Sequence, residues 1–359
     1  MRAAVAPGVN TPLVIEDLQI TKLAPQDVIV AVAASGVCHS DVNPLTGRSP
    51  APGWPVILGH EGTGIVTEVG TQVESVCIGD RVIGSFVPTC GRCRWCTDGQ
   101  TNLCQEFFAT PRSVLARSDG TPVYAFDALG TFADQMVVSQ HSVVKVETDL
   151  PAEQVALLGC GVTTGVCAVL NTAKVQAGAS VVVLGAGGVG QSVVQGARIA
   201  GASMIIAVDP FEAKRKMATR LGATHALDPA AIDTVAAVRE LTKGYGADFA
   251  FEAAGRQDTA SDGFSMLRRG GTLTLVGAND ASAMPQWGLK EWMISEKRVL
   301  GSLYGSAQVQ RDFAMLIRMA EAGLLQLDHM VSRRLSLPDI NDALDAIERG
   351  DVIRSVVLF

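Results

Sequence analysis

The stretch Val181-Val-Val-Leu-Gly185-Ala-Gly187-Gly188-Val189-Gly190 decides how this chain is read: an apolar run passes straight into G-x-G-x-x-G and then into a helical pattern. Each glycine has a separate task. Gly185 permits the tight turn, Gly187 lets backbone approach a pyrophosphate, and Gly190 lets the helix pack on its strand. The N–H groups that open the helix, at Gly188 and Val189, face the phosphates, and the helix dipole favours their charge. Such a turn alone need not bind anything. The next apolar run, however, ends at Asp209, nineteen residues beyond Gly190, where a carboxylate accepts hydrogen bonds from the adenosine ribose hydroxyls. Pro210-Phe211-Glu212 follow with no arginine to pair a 2′-phosphate, so the expected cofactor is NAD rather than NADP. Asp209 also fits as a cap on the helix after Phe211, and the two roles are compatible.

Outward from this turn, apolar strands alternate with amphipathic helices from about Pro151 onward: strand Ser180–Leu184, helix 189–200, strand Met204–Val208, helix Glu212–Leu221, then strands 249–251 and 272–276. That alternation implies right-handed crossovers and a doubly wound parallel sheet, an α/β architecture. Upstream the pattern differs. Runs 28–33, 64–69, 81–84 and 135–138 are β-branched and punctuated by Pro55, Gly59 and Gly79-Asp80, which reads as an irregular, mostly-β domain. Helices at 314–322 and Ile340–Glu348 and a strand at 355–358 break the alternation again, consistent with a return to the first domain.

Composition limits the function. The 359 residues are 48% hydrophobic and 18% charged, enough for two cores and against disorder. A net charge of −7 disfavours nucleic-acid binding, which needs a basic face. Residues 1–10 lack a basic stretch followed by an apolar run, so a cytoplasmic rather than exported protein is expected. The most membrane-like segment, 155–170, is interrupted by glycines and threonines, is shorter than the ~20 residues of a span, and reads as a buried helix. Eight cysteines in a reducing compartment point to metal or catalysis before disulfides.

Four of them, Cys90-x-x-Cys93-x-x-Cys96 and Cys104, lie within fifteen positions. Tetrahedral sulfur suits zinc, and with no histidine and no open position the site reads as structural. An iron–sulfur cluster is the main rival, but the ferredoxin run has only three residues before its fourth cysteine, against seven here. A nucleic-acid zinc ribbon conflicts with the acidity. Chemistry-bearing residues concentrate in three further segments: Gly36-Val-Cys38-His39-Ser40-Asp41, Gly59-His60-Glu61-Gly62 and Gly159-Cys160-Gly-Val-Thr-Thr164-Gly165. Two cysteines and a histidine would leave a fourth zinc position open, as catalytic zinc requires, although Cys160 taken alone reads more readily as a small core residue.

The order of these segments, the four-cysteine lobe and the glycine turn resembles that of the zinc-dependent medium-chain alcohol dehydrogenases, from end to end. The resemblance implies a GroES-like catalytic domain at 1–161 and 304–359 and a Rossmann domain at 162–303. It implies Cys38, His60 and Cys160 on a catalytic zinc, and the four clustered cysteines on a structural one: two zinc ions per chain. Ser40 is then the hydroxyl that takes the substrate proton, Asp41 the carboxylate that orients His60, and Glu61 a carboxylate behind the metal. Thr164, Val189 and Val276 line the nicotinamide, Lys214 reaches the adenosine ribose, and His39 and Arg354 the pyrophosphate. Trp54, Phe86, Leu103 and Ala109 are pocket candidates.

Three departures accompany the resemblance. Asn43 stands where many relatives end their proton relay in histidine. His39 replaces an arginine common in animal enzymes. Gln105-Glu-Phe-Phe108 lacks the arginine usual in the glutathione-dependent branch. The expected reaction is reversible hydride transfer between NAD and an aryl or medium-chain primary alcohol. A zinc-free NADPH-dependent enoyl or quinone reductase, and a non-catalytic nucleotide-binding relative, are the alternatives. The expected partners are a small alcohol or aldehyde and, from the long segment 105–129, a second copy in a homodimer, with a tetramer possible; no nucleic acid and no membrane are expected.

Overall fold

The computed structural model describes residues 1–108, 113–277 and 284–359. The chain divides into two compact units, one of Met1–Cys160 with Gln308–Phe359, the other of Gly161–Ala307.

In the second unit six strands pair in parallel in the order His225–Leu227, Met204–Val208, Ser180–Leu184, Ala247–Glu252, Leu267–Leu275, Arg298–Gly301. Counted along the chain this is 3-2-1-4-5-6, the doubly wound Rossmann order. The central strands bury Val181, Val182, Val183 and Phe251 completely, which is why their sequences run apolar without alternation. The glycine turn follows the first strand and opens the helix Gly188–Ile199. Gly185 has φ +90°, the left-handed region, and an added Cβ would lie 2.8 Å from the Ala254 nitrogen. A Cβ on Gly190 would overlap the Gly185 carbonyl oxygen, whereas one on Gly187 meets nothing within 4 Å. The first and third glycines therefore serve the fold, and the second leaves open space. Gly190→Ala must displace backbone, and a loss of about 1–3 kcal/mol is expected; an unchanged urea midpoint would refute the overlap.

In the first unit, the long strand Asp27–Val37 is the axis of one sheet. It pairs antiparallel with Glu61–Val69 on one edge, and with Gln135–Ser139 and Arg354–Leu358 on the other. The C-terminal strand thus returns to the first unit. Val28, Val30 and Val66 pack with Val82, Leu129 and Met136 beneath this sheet. The short strands Arg2–Ala6, Val14–Asp17, Val56–Ile57, Leu115–Ala116 and Pro122–Ala125 belong to a second sheet, around a core that takes in Phe126, Phe132 and Leu344.

One expectation is corrected. The segment 155–170 is buried but is not one helix: Ala152–Ala156 tightens into a 3-10 turn at Leu157–Gly159, and helix resumes at Gly161–Cys167. Between them Cys160 adopts φ −145°, ψ −80°, outside helical geometry. Gly159 packs against backbone, its hypothetical Cβ 3.2 Å from the Glu61 Cα. Close packing and a swung thiol outweigh helix continuity here. Among the described residues no single helix is long and apolar enough to cross a membrane.

Candidate active site

Strand register builds the site. Asp27–Val37 runs directly into Cys38. Gly36 stands opposite Glu61 on one neighbour, and Val37 stands opposite Ser355 on the other. Cys38, His60-Glu61 and Arg354 therefore arrive at one end of the sheet. A Cβ on Gly36 would run into the Glu61 carboxylate, so the carboxylate occupies room that only glycine leaves. Cys38 caps the helix His39–Leu45, and Asp41 in its first turn folds back. Its Oδ2 accepts the Cys38 N–H at 2.9 Å, and its Oδ1 accepts the Gly59 N–H at 3.0 Å and lies 2.9 Å from His60 Nδ1. An acceptor-only carboxylate assigns the imidazole proton to Nδ1, which leaves Nε2 as the ligating nitrogen. Ser40 Oγ sits 3.8 Å from Cys38 Sγ.

One donor atom from each of Cys38, His60, Glu61 and Cys160 lies within 4.8 Å of the other three, and all four residues are buried. Two sulfurs and an imidazole with a carboxylate in reach match the ligand preferences of zinc. The electrostatics agree. A hydrogen bond with Cys160 drives the Cys38 thiol well below its usual range against the effect of burial, helped by Arg354 and His60, while Cys160, the other member of the pair, moves up. Burial works to lower the His60 pKa, but the Asp41 charge and hydrogen bond outweigh it and carry it well above the usual value. Burial pushes Glu61 up to about 7, with Arg354 pulling the other way. The Arg354 guanidinium is 4% exposed and lies 3.4 Å from both Glu61 Oε1 and the Val37 carbonyl oxygen.

Cys90, Cys93, Cys96 and Cys104 form a second group, their sulfurs also within 4.8 Å of one another, and none is in a disulfide. Backbone N–H groups of Gln105 and Cys96 hold the Cys93 thiol down at about 6, and burial pushes Cys96 up to about 12. An all-sulfur set with no other donor among the described residues is a closed site.

Phe86 and Phe126 present ring edges to His60, with centroids 5.8 and 5.7 Å away. Both line a cavity of about 1000 Å³ in the first unit, together with Phe107, Val114, Leu115, Val123 and Asp127. Of the other pocket candidates, Trp54 packs against the core of the second sheet, Leu103 ends the turn before Cys104, and Ala109 lies outside the described residues. Asn43 is buried on the same helix as His39. In the second unit, Thr164 is buried in Gly161–Cys167, and the Val276 N–H donates to the Glu252 carbonyl at 2.9 Å. Lys214 stands 4.5 Å above the Phe211 ring. Asp209 is 5% exposed; its Oδ2 accepts the Ala186 N–H and its Oδ1 the Phe211 N–H, each at 2.8 Å. The expected cap is corrected: Phe211 itself is the N-cap of Glu212–Leu221 and no side chain caps it, while Asp209 closes the turn before it and braces the glycine turn. Sequence reasoning missed Phe126, Asp127 and Glu252, whose carboxylate gathers the N–H groups of Ala254 and Gly255. Glu252 could have been found as an acid closing a buried strand; nothing local marks the other two.

A family model described as alcohol dehydrogenase GroES-like domain matches residues 24–148, and one described as zinc-binding dehydrogenase matches residues 188–322. The chain belongs to the zinc-dependent medium-chain alcohol dehydrogenases. Within that family it is 39% identical to an NDMA-dependent alcohol dehydrogenase of Amycolatopsis methanolica, over 99% of this chain and 98% of the relative. An S-(hydroxymethyl)glutathione dehydrogenase of Paracoccus denitrificans is 37% identical over 100% of this chain and 99% of its own length. The crystal structure of benzyl alcohol dehydrogenase from Acinetobacter calcoaceticus superposes with TM-score 0.92 at 33% identity, covering 100% of this chain and 99% of that one. This member of the family is an oxidoreductase of the alcohol dehydrogenase type.

Proposed function

We propose that this alcohol dehydrogenase uses NAD to oxidise aryl or medium-chain primary alcohols reversibly to aldehydes, in the cytoplasm and as a homodimer. The buried Cys38–His60–Cys160 group beside an aromatic-walled cavity carries the reading. Zinc held there supplies Lewis acidity that brings an alcohol hydroxyl toward ionisation at neutral pH, and NAD supplies the hydride acceptor. The protein's own part is positional and protic. Asp41 fixes the His60 ring through Nδ1, and Ser40 Oγ takes up the substrate hydroxyl proton. Phe86 and Phe126 exclude water and favour apolar substrates, in keeping with a structural relative named benzyl alcohol dehydrogenase. Gln105-Glu106-Phe107 supplies no cation for a glutathione adduct.

NAD is favoured over NADP because Asp209 closes the second strand of the Rossmann sheet and the nearby Arg215 is already engaged. Its Nη1 donates to the Asp209 and Pro210 carbonyls at 2.7 and 2.8 Å, and its Nη2 pairs with Asp228 at 2.9 Å. Asp209→Gly is expected to relax selection against NADP by about tenfold or more; an unchanged cofactor ratio would show that the carboxylate only braces the turn. Leu289, Met293 and Ile294 are 80%, 71% and 61% exposed on the helix preceding the edge strand Arg298–Gly301, which supports a self-associating face. A monomer by light scattering would overturn the dimer.

The deciding assay follows NADH or NADPH absorbance over an alcohol panel with NAD or NADP added and, in parallel, aldehyde formation with NDMA as acceptor and no added nucleotide. Turnover with NAD supports the reading. Turnover only with NDMA would align this chain with the Amycolatopsis relative, and no turnover on any alcohol would defeat the proposal.

A further inference from the structure

The cavity beside His60 is walled mainly by apolar side chains, and no lysine, arginine or histidine is among its described lining residues. Three carboxylates do line it. Glu106 is paired with Arg92 at 3.1 Å, and Asp27 accepts the Ala24 N–H at 2.8 Å. The third, Asp127, has no hydrogen bond and no ion pair among the described residues. It follows Phe126, whose ring edge meets His60, so it stands on the wall next to the candidate metal group. Its backbone is in the left-handed region (φ 51°, ψ 29°), and Ala128 after it has φ 58°. Two successive left-handed residues outside glycine carry strain, which persists only where surrounding structure imposes it. Asp127 is partly exposed on a largely apolar wall, with no donor among the described residues, so its carboxylate is open to a ligand that brings one.

We infer that Asp127 is a specificity-determining residue, whose carboxylate receives a hydrogen-bond donor, an ammonium group above all, on the part of the substrate away from the reacting carbinol. The inference rests on the alcohol dehydrogenase reading above and narrows it, from aryl or medium-chain alcohols in general to those bearing an amine or a second hydroxyl. Glu106 does not compete for that donor, because Arg92 already answers its charge. Desolvation by the apolar wall raises the Asp127 carboxyl to about 6 against the pull of His60, so at pH 8 it remains ionised and able to receive a cation.

The test compares 4-(aminomethyl)benzyl alcohol with benzyl alcohol at pH 8, in the zinc-loaded enzyme and in Asp127→Asn. Asparagine tolerates the left-handed backbone, so the variant removes charge without removing the turn. The ratio of kcat/KM for the amino alcohol over benzyl alcohol is expected to fall about tenfold to a hundredfold in the variant, chiefly through KM. Glu106→Gln is expected to move that ratio less than threefold. Calorimetric binding of the two alcohols, with and without Asp127→Asn, reads the same preference where turnover is absent. An unchanged ratio and unchanged relative affinity would overturn the assignment while leaving the alcohol dehydrogenase reading intact. An equal loss of kcat on both substrates would overturn it in favour of a positioning role beside His60. A shift in Glu106→Gln as large as in Asp127→Asn would mean that wall charge in general, and not Asp127, selects the substrate. No turnover of any alcohol by the parent enzyme defeats the broader reading and leaves the binding ratio to decide this one.

Discussion

Cys38→Ser is expected to lower alcohol oxidation by about a thousandfold or more, roughly 4 kcal/mol of lost transition-state stabilisation. Bound zinc should drop from two equivalents per chain to one, since only one of the two donor groups is touched. The reason lies in the donor set. Cys38 Sγ is the thiol of the candidate metal group whose pKa its neighbours lower, and a serine hydroxyl in its place stays far from ionisation. The Asp41–His60 contact would survive, because Asp41 holds the Cys38 backbone N–H and not its sulfur. Elemental analysis with steady-state kinetics checks both parts. Full activity with two zinc ions retained would place the catalytic centre elsewhere.

Arg354→Met should cost about 3–5 kcal/mol of stability, because it removes the cation beside a fully buried carboxylate. The loss has a pH signature. Burial already raises the Glu61 pKa to about 7 from the ordinary 4.5, so the unfolded chain releases this proton first and stability falls as pH rises through that window. Without Arg354 the folded-state pKa climbs further. The difference between variant and parent should therefore grow above pH 7 and shrink toward pH 5, where Glu61 is protonated in both. Urea titrations at the two pH values, with chelator present so that no ion offsets the carboxylate, measure it. A pH-independent loss would trace the defect to packing of the arginine stem.

Much of the second unit was legible in the sequence. Ser180–Leu184, Met204–Val208 and Glu212–Leu221 fall where the apolar run lengths and helical period put them, because each element's burial is set within one stretch of chain. The first unit was legible only in its long strands. Val56–Ile57 and Leu115–Ala116 have two residues each, too few for any alternation to show, and they exist because neighbours supply the hydrogen bonds. The break at Cys160 was hidden for a related reason. Its flanking residues are apolar enough for a continuous helix, and the packing of Gly159 against Glu61 is a contact between residues far apart along the chain.

By itself the sequence determined the glycine turn with its distant Asp209, and a thiolate group whose four members span only fifteen positions. Both are local, so short loops or one strand–turn–helix unit can realise them whatever the rest of the chain does. Tertiary structure alone decided that Cys38, His60, Glu61 and Cys160 share one buried point and that Arg354 faces Glu61. It also decided that Asp127 stands on the cavity wall. Those residues are joined by the register of antiparallel strands and by a helix that breaks at one residue, and neither can be read until the partners have been paired.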